Sequence, residues 1–162
     1  MFVDFEDLDT NARVWIYQSN REFSKNEVEI IKEKTSIFIE NWLRHGDHLK
    51  ASFFIKYNQF IILAVDENFN EVSGCSIDAS VNLIKSLENE FSVDLTNKLN
   101  ISFKDNSNIN IVSMADFQKY AKQQKITADT IVFNNMVTTK GEFENNWEVT
   151  ADKSWHKRFL AH

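Results

Sequence analysis

The chain has 162 residues, a length typical of one domain and sufficient to bury a core without disulfide bonds. Its net charge of −6 disfavours nucleic-acid binding, because that affinity comes from Lys and Arg side chains that neutralise phosphates, and the basic residues here are outnumbered and dispersed. The single cysteine excludes an intramolecular disulfide.

No targeting or membrane segment is expected. The N-terminus is acidic and lacks the basic and apolar regions of a secretory signal. The longest apolar run, Phe60–Val65, is far shorter than the ~20 residues that span a bilayer. The chain has no Pro, three Gly and no linker-like stretch. We therefore predict a cytoplasmic protein whose residues 1–162 form a single domain.

A strand and a helix are predicted near the N-terminus. Apolar residues on both faces of Arg13–Ser19 indicate a central strand. Ser24 and Glu27 have the spacing of a capping box, and an apolar stripe recurs at helical spacing from Val28 to Trp42. We expect this helix to end at Gly46, since glycine readily adopts the left-handed conformation that follows many helices.

A hairpin and a second helix follow. Leu49–Tyr57 alternates between apolar and polar residues, and Phe60–Val65 is continuously apolar, so the two segments predict a hairpin with its turn near Asn58. Ser76 is the expected N-cap of the second helix. The apolar stripe of that helix consists of Val81, Ile84, Leu87 and Phe91.

The second half of the chain predicts short strands and helices. Ile101–Lys104 and Ile109–Val112 flank a turn and indicate another hairpin. Ser113 is the expected cap of a short third helix. Thr130–Asn134 has the composition of a last strand, and helical pieces that dock on the core are expected from there to His162.

This order of elements predicts an α+β fold. A hairpin between two helices favours a mixed, mostly antiparallel sheet of about five or six strands, with helices packed mainly on one face. A ferredoxin-like arrangement fits the first two-thirds of the chain. Related sandwiches, profilin-like ones included, fit equally well.

Four segments together resemble a family of small bacterial proteins of similar length. These segments are Arg13–Gln18, His45-Gly46 before Leu49-Lys50-Ala51, Ser73–Asp78 and Ser154–His156. The resemblance covers nearly the whole chain. Members of that family carry the label "ABC transporter ATPase", with no established activity behind it.

The residues themselves disagree with an ATPase. Walker-type ATPases hold phosphates with a loop of the form G-x-x-x-x-G-K, whose backbone amides converge on the ligand. The only glycines are Gly46, Gly74 and Gly141, and none has a second glycine five positions away. We therefore expect that the chain is not an ABC-type ATPase.

The strongest candidate for a functional site is Ser73–Asp78. If a helix begins at Ser76, its first amides have no partner within the helix and favour anions and thiolates. Cys75 would lie beside them, next to Gly74, which permits close approach of a ligand. The candidate ligand-binding residues are Ser73, Gly74, Cys75, Ser76 and Asp78.

A structural interpretation of the same segment remains open. Gly74 can provide a turn with positive φ, while Ser76 and Asp78 can serve only as cap and first-turn residues. Cys75 can pack as a small buried apolar group, as free cysteines often do.

Histidines provide the candidate bases. His156 or His45 could activate Cys75 as a nucleophile if the fold brings one of them close. His45, Asp47 and His48 are too few for a zinc site without further ligands, so no metal and no cofactor are expected.

Two hypotheses of different classes follow. The first is a non-catalytic module that binds a protein partner or a small anionic ligand, with a homodimer as one possibility. The alternative is a small enzyme with Cys75 as a thiol nucleophile at a helix N-terminus.

Overall fold

The computed structural model describes residues 1–44, 46–67 and 72–160. These residues form helices and antiparallel strands, which confirms the predicted α+β class. The helices are α1 (Lys25–Glu40), α2 (Gly74–Phe91), α3 (Met114–Lys122) and α4 (Lys140–Asn146). The strands are β1 (Arg13–Gln18), β2 (Leu43–Arg44), β3 (Asp47–His48), β4 (Ala51–Lys56), β5 (Phe60–Val65), β6 (Asn100–Asp105), β7 (Asn108–Ser113), β8 (Ile131–Phe133) and β9 (Glu148–Thr150).

The strands are distributed among three sheets. Their orders are β1-β5-β4, β2-β3 and β7-β6-β8-β9, and all neighbouring strands within them run antiparallel. The sequence favoured one sheet of about five or six strands, and the structure divides them instead. Local alternation identifies a strand, whereas its neighbours depend on packing that local sequence does not encode.

The chain comprises two compact units. The N-terminal unit consists of Met1–Thr96 with Thr138–Gly141, and the C-terminal unit consists of Asn97–Val137 with Glu142–His162. The sequence predicted a single domain for residues 1–162, and the division into two compact units does not test that prediction. None of the described helices is both long and apolar enough to cross a membrane.

The sheet of the N-terminal unit is built around β5. All six residues of β5 are buried, and β1 and β4 flank it in continuous register. The predicted hairpin is confirmed, with Tyr57 and Asn58 at positive φ in the turn between β4 and β5. One core cluster joins this sheet to α1 and α2; its buried members include Phe23, Ile31, Ile61, Ile84 and Leu87.

The start of α1 is as predicted and its end is not. Ser24 Oγ accepts a hydrogen bond from Glu27 N, and Glu27 Oε1 accepts one from Ser24 N, which completes the capping box. The helix ends at Glu40, six residues before Gly46. At the helix end, Asn41 Nδ2 donates to the Ile37 carbonyl oxygen, which has no amide partner within the helix, and Trp42 follows with its indole buried. Gly46 has a φ of +86° and lies in the turn between β2 and β3.

The start of α2 also differs from the prediction. Ser73, and not Ser76, is the N-cap, because the Ser73 side chain accepts a hydrogen bond from Ser76 N at 3.2 Å. The predicted boundary was wrong by about one turn, since both serines satisfy the same local pattern. Consequently Gly74 and Cys75 lie inside the first turn of the helix.

The C-terminal unit has its own apolar core. Ser113 caps α3 by accepting a hydrogen bond from Asp116 N at 3.1 Å, as the sequence predicted. The chain after β9 forms two short 3₁₀ helices, Ala151–Lys153 and Trp155–Phe159. The buried core consists of Ile101, Phe117, Ala121, Ile126, Val132 and Ala151.

Candidate functional site

A groove of about 460 Å³ lies between the end of α1 and the start of α2 in the N-terminal unit. We call it the α1–α2 groove. Its volume falls within the range of small-molecule sites, roughly 300–1,000 Å³. One wall consists of Ile37, Phe38, Asn41, Trp42 and Leu43. The opposite wall consists of Ser73, Cys75, Ser76 and Ala79.

Two hydrogen bonds hold the walls together. Trp42 Nε1 donates to the Ser76 carbonyl oxygen at 2.9 Å, and Ser76 Oγ donates to the Leu43 carbonyl oxygen at 2.8 Å. The Trp42 ring also packs on Phe38 and Trp15, with ring centroids 5.0 and 6.4 Å apart. The groove is therefore formed by rigid, buried contacts, which favours a shape that exists before any ligand binds.

The helix-start side of the groove is polar. Since Ser76 Oγ donates to Leu43, the 2.8 Å contact between the two serine oxygens makes Ser73 the donor. Ser73 also satisfies the Ser76 amide, but the amides of Gly74 and Cys75 have no hydrogen-bond partner among the described residues. Helix amides without a partner carry partial positive charge and attract acceptors and anions.

The Cys75 thiol is exposed and lines the groove. The structure thus disagrees with the interpretation of Cys75 as a buried apolar group. The residue lies in the second position of α2, beside the amides described above. A ligand in the groove would therefore approach both the thiol and the helix start.

Not all of the predicted segment contributes to the groove. Ser73, Cys75 and Ser76 line it, whereas Gly74 and Asp78 do not. Gly74 has no positive φ and no atom within 4 Å of an added Cβ, so neither a tight turn nor close packing requires glycine there. Asp78 is exposed.

His156 lies in the C-terminal unit and is fully buried. Its Nδ1 is 2.7 Å from Ser154 Oγ, and its ring stacks on Trp155 at 3.9 Å and packs near Phe117 at 5.5 Å. Burial, together with the positive charge of Arg158, lowers the pKa of His156 from 6.5 to about 4. A sealed, neutral imidazole has no path to a substrate in solution, which argues against its predicted role as the base for Cys75.

The other histidine candidates give no active-site geometry. His45 lies outside the described residues. Asp47 and His48 are exposed in β3. Within the described ranges, no group of three His, Cys, Asp or Glu side chains could hold a metal ion.

Sequence reasoning missed the apolar wall of the groove. Trp42 was expected on the stripe of α1, and Ile37 and Leu43 were not singled out. A signal was present at Ile37, which falls outside the apolar stripe of its helix and is 59% exposed in the structure. A large apolar residue on the polar face of a helix is a reason to look for a binding surface.

The comparisons with known proteins give no relative. No family model, no curated protein and no solved structure matches the chain. The resemblance to the family of small bacterial proteins therefore stays a prediction.

Proposed function

We propose that the protein is a non-catalytic binding module whose α1–α2 groove holds a small ligand with an apolar body and an anionic or hydrogen-bond-accepting end. The observation that carries the proposal is the composition of the groove. An apolar wall around Trp42 faces the open start of α2 at Cys75.

The two walls have complementary tasks in this proposal. Apolar surface contributes roughly 25 cal/mol for each Å² removed from water, so the Phe38 and Trp42 wall provides the affinity. The amide of Cys75, with the Ser73 and Ser76 hydroxyl groups that line the groove, orients the polar end of the ligand. The ligand is thus amphipathic, with its acceptor group directed at α2.

The absence of a suitable base among the described residues supports binding over catalysis. Cys75 is the exposed nucleophile candidate, while His156 is sealed in the C-terminal unit and His48 lies exposed on β3. As part of the same proposal we place the protein in the cytoplasm, where a free exposed thiol persists in reduced form.

Protection of the single cysteine tests the proposal. A panel of aryl carboxylates and their uncharged carboxamides is added to the protein, and the rate of Cys75 alkylation by iodoacetamide is measured by mass spectrometry. An occupant of the groove covers the thiol, so we expect at least one carboxylate to slow alkylation at saturating concentration. The matching carboxamide should protect more weakly, because it lacks the charge that the helix start favours.

A relocated thiol provides the matched control. Cys75→Ser combined with Ser86→Cys moves the cysteine to an exposed position on the same helix that does not line the groove. Alkylation there should be insensitive to the same compounds. If every compound leaves Cys75 unprotected, or if both thiols are protected alike, the proposed function is wrong.

One observation favours a second candidate, a thiol enzyme. The Cys75 thiol is exposed and lines the groove, where a bound substrate could reach it. In this case iodoacetamide should label Cys75 faster than it labels the thiol of an unstructured cysteine peptide at the same pH. Labelling at the rate of a free cysteine peptide across the pH range would eliminate this candidate.

A further inference from the structure

The outer strand of the C-terminal sheet, β7, is an open edge. Its one neighbour in the sheet is β6, with which it pairs over all six residues and without a bulge. In an antiparallel ladder, alternate residues direct their N–H and C=O groups away from the neighbour. No backbone hydrogen bond from another described segment reaches those groups, and none of the six residues is buried.

The edges of the N-terminal sheet are protected in ways that β7 is not. On the β1 edge, Val14 N donates to Thr138 O at 2.9 Å. On the β4 edge, Ala51 pairs with the segment around Phe2. Each of these strands also carries a charged residue, Arg13 in β1 and Lys56 in β4. Covered edges and charges are the usual means by which proteins prevent edge-to-edge pairing.

Within the C-terminal sheet, the two edges also differ. The far edge, β9, has three residues and includes Glu148. The β7 edge has six residues, Asn-Ile-Asn-Ile-Val-Ser, with no charge and no proline. It therefore lacks the shortness, charge, proline and bulge that commonly protect an edge.

We propose that two copies of this chain associate through antiparallel pairing of β7 with β7, which joins their four-stranded sheets into one. Among protein partners, another extended strand is the one that can pair with the free backbone groups along the whole of β7, which fixes the kind of occupant. A two-fold pairing places no charged side chain of β7 opposite another, although the chain as a whole carries a net charge of −6. Ile109 and Ile111 add β-branched cross-strand contacts on one face of the joined sheet.

This inference is independent of the proposed ligand site, because β7 belongs to the C-terminal unit. The full chain is studied by sedimentation velocity over a range of concentrations, with the expectation of a reversible monomer–dimer equilibrium. The test variant is Ile109→Glu. Its carboxylate lies opposite Lys104 within the same hairpin, so the monomer tolerates it, whereas two-fold pairing places two such carboxylates on the same face of the joined sheet. We expect the dimer dissociation constant to rise at least about tenfold.

A matched control adds the same charge elsewhere in the C-terminal unit. Leu99→Glu alters a residue that is 66% exposed and precedes β6, so it should leave the dimer dissociation constant unchanged. Dimers lost equally in both variants would point to general charge repulsion and overturn the proposal. So would a dimer that Ile109→Glu does not weaken.

Hydrogen exchange of the unmodified chain keeps the test valid even if Ile109→Glu fails to fold. The amides along β7 should gain protection as the protein concentration rises, while those of β9 should not. A chain that stays monomeric at every attainable concentration would overturn the proposal. The partner of β7 would then have to be an extended segment of a different protein.

Discussion

Cys75 and His156 have similar sequence surroundings and opposite fates in the fold. Each lies two positions after the serine that precedes a helical segment, Ser73 or Ser154, and each was a candidate for catalysis. In the structure the Cys75 thiol is exposed in the α1–α2 groove, whereas the His156 imidazole is fully buried against Phe117 and Trp155. Chemical type alone therefore did not distinguish a residue that a ligand can reach from one that it cannot.

The difference has a physical origin in the neighbouring residues. Around Cys75, the cap residue Ser73 and the buried Ser76 take up the local hydrogen bonds and leave the thiol at the surface. Around His156, the Trp155 ring stacks on the imidazole, and the hydrogen bond between Ser154 Oγ and His156 Nδ1 is buried. A ligand can therefore reach Cys75 in the groove. The buried His156 instead contributes to the stability of the fold, and that contribution requires a neutral imidazole.

The largest effect is expected from a substitution in the apolar wall of the groove. Trp42→Ala should lower the free energy of unfolding by about 3–5 kcal/mol, because a buried aromatic ring is replaced by a cavity and the Ser76 carbonyl oxygen loses the hydrogen bond from the indole. Urea unfolding followed by circular dichroism measures the loss. Ile37→Ala, at an exposed position of the same groove, should change stability by no more than about 0.5 kcal/mol. Equal effects of the two changes would show that Trp42 does not hold the walls together.

The next largest effect is the pH dependence of stability that results from the buried imidazole of His156. The pKa of His156 is about 4 in the fold against 6.5 for the free group, so between these values the unfolded state binds the additional proton. The contribution of the neutral His156 to the free energy of unfolding is therefore fully present well above pH 6.5 and decreases as the pH falls towards 4. We expect the free energy of unfolding to be about 2 kcal/mol lower at pH 5 than at pH 7.

His156→Gln is the control for that pH dependence. Glutamine does not titrate, so the decrease between pH 7 and pH 5 should largely vanish in this variant. The pKa of Glu27 is lowered from 4.5 to about 2, so its contribution is lost only below this window. An unchanged pH slope in His156→Gln would contradict the sealed, neutral imidazole.

A smaller effect compares two helix caps. Ser73→Ala at α2 and Ser24→Ala at α1 should each cost about 1 kcal/mol, since each removes a side-chain acceptor for a helix amide. Only Ser73→Ala should also reduce the protection of Cys75 by an aryl carboxylate, because Ser73 lines the groove and Ser24 does not. Equal protection of Cys75 in the two variants would show that Ser73 does not contribute to ligand binding.

The smallest effect concerns Gly74. Gly74→Ala should stabilise the fold by about 0.5 kcal/mol, because the position is helical and the new methyl group meets no atom within 4 Å. Since Gly74 does not line the groove, protection of Cys75 by the carboxylates should remain as in the unmodified chain. Weakened protection would show instead that the ligand contacts the helix start at Gly74.

Elements with strong local signals were predictable. The capping box of Ser24 and Glu27, the turn at Asn58 and the cap at Ser113 each involve residues within a few positions, so the sequence contains all of the interacting partners. The end of α1 and the choice of Ser73 over Ser76 were not predictable in this way. At both boundaries the side chains bond to a distant segment: the Trp42 indole donates to the Ser76 carbonyl oxygen, 34 positions away, and Ser76 Oγ donates to the Leu43 carbonyl oxygen.

A buried lysine shows the same limit. Lys140 is 5% exposed and donates to the carbonyl oxygens of Glu6 and Leu8, more than 130 positions earlier in the chain. Its sequence neighbourhood gave no sign of this role. Long-range hydrogen bonds of this kind replace the hydration that a buried ammonium group loses, and they can form only once the fold exists.

By itself, the sequence determined the α+β class, most of the strands and helices, and the position of a candidate site near Cys75, because those features depend on periodicity and on capping residues close together in the chain. The tertiary structure decided which candidate residue is exposed, which strands share a sheet and which edge remains open. Accessibility and strand pairing arise from contacts between distant segments, and no local pattern specifies them.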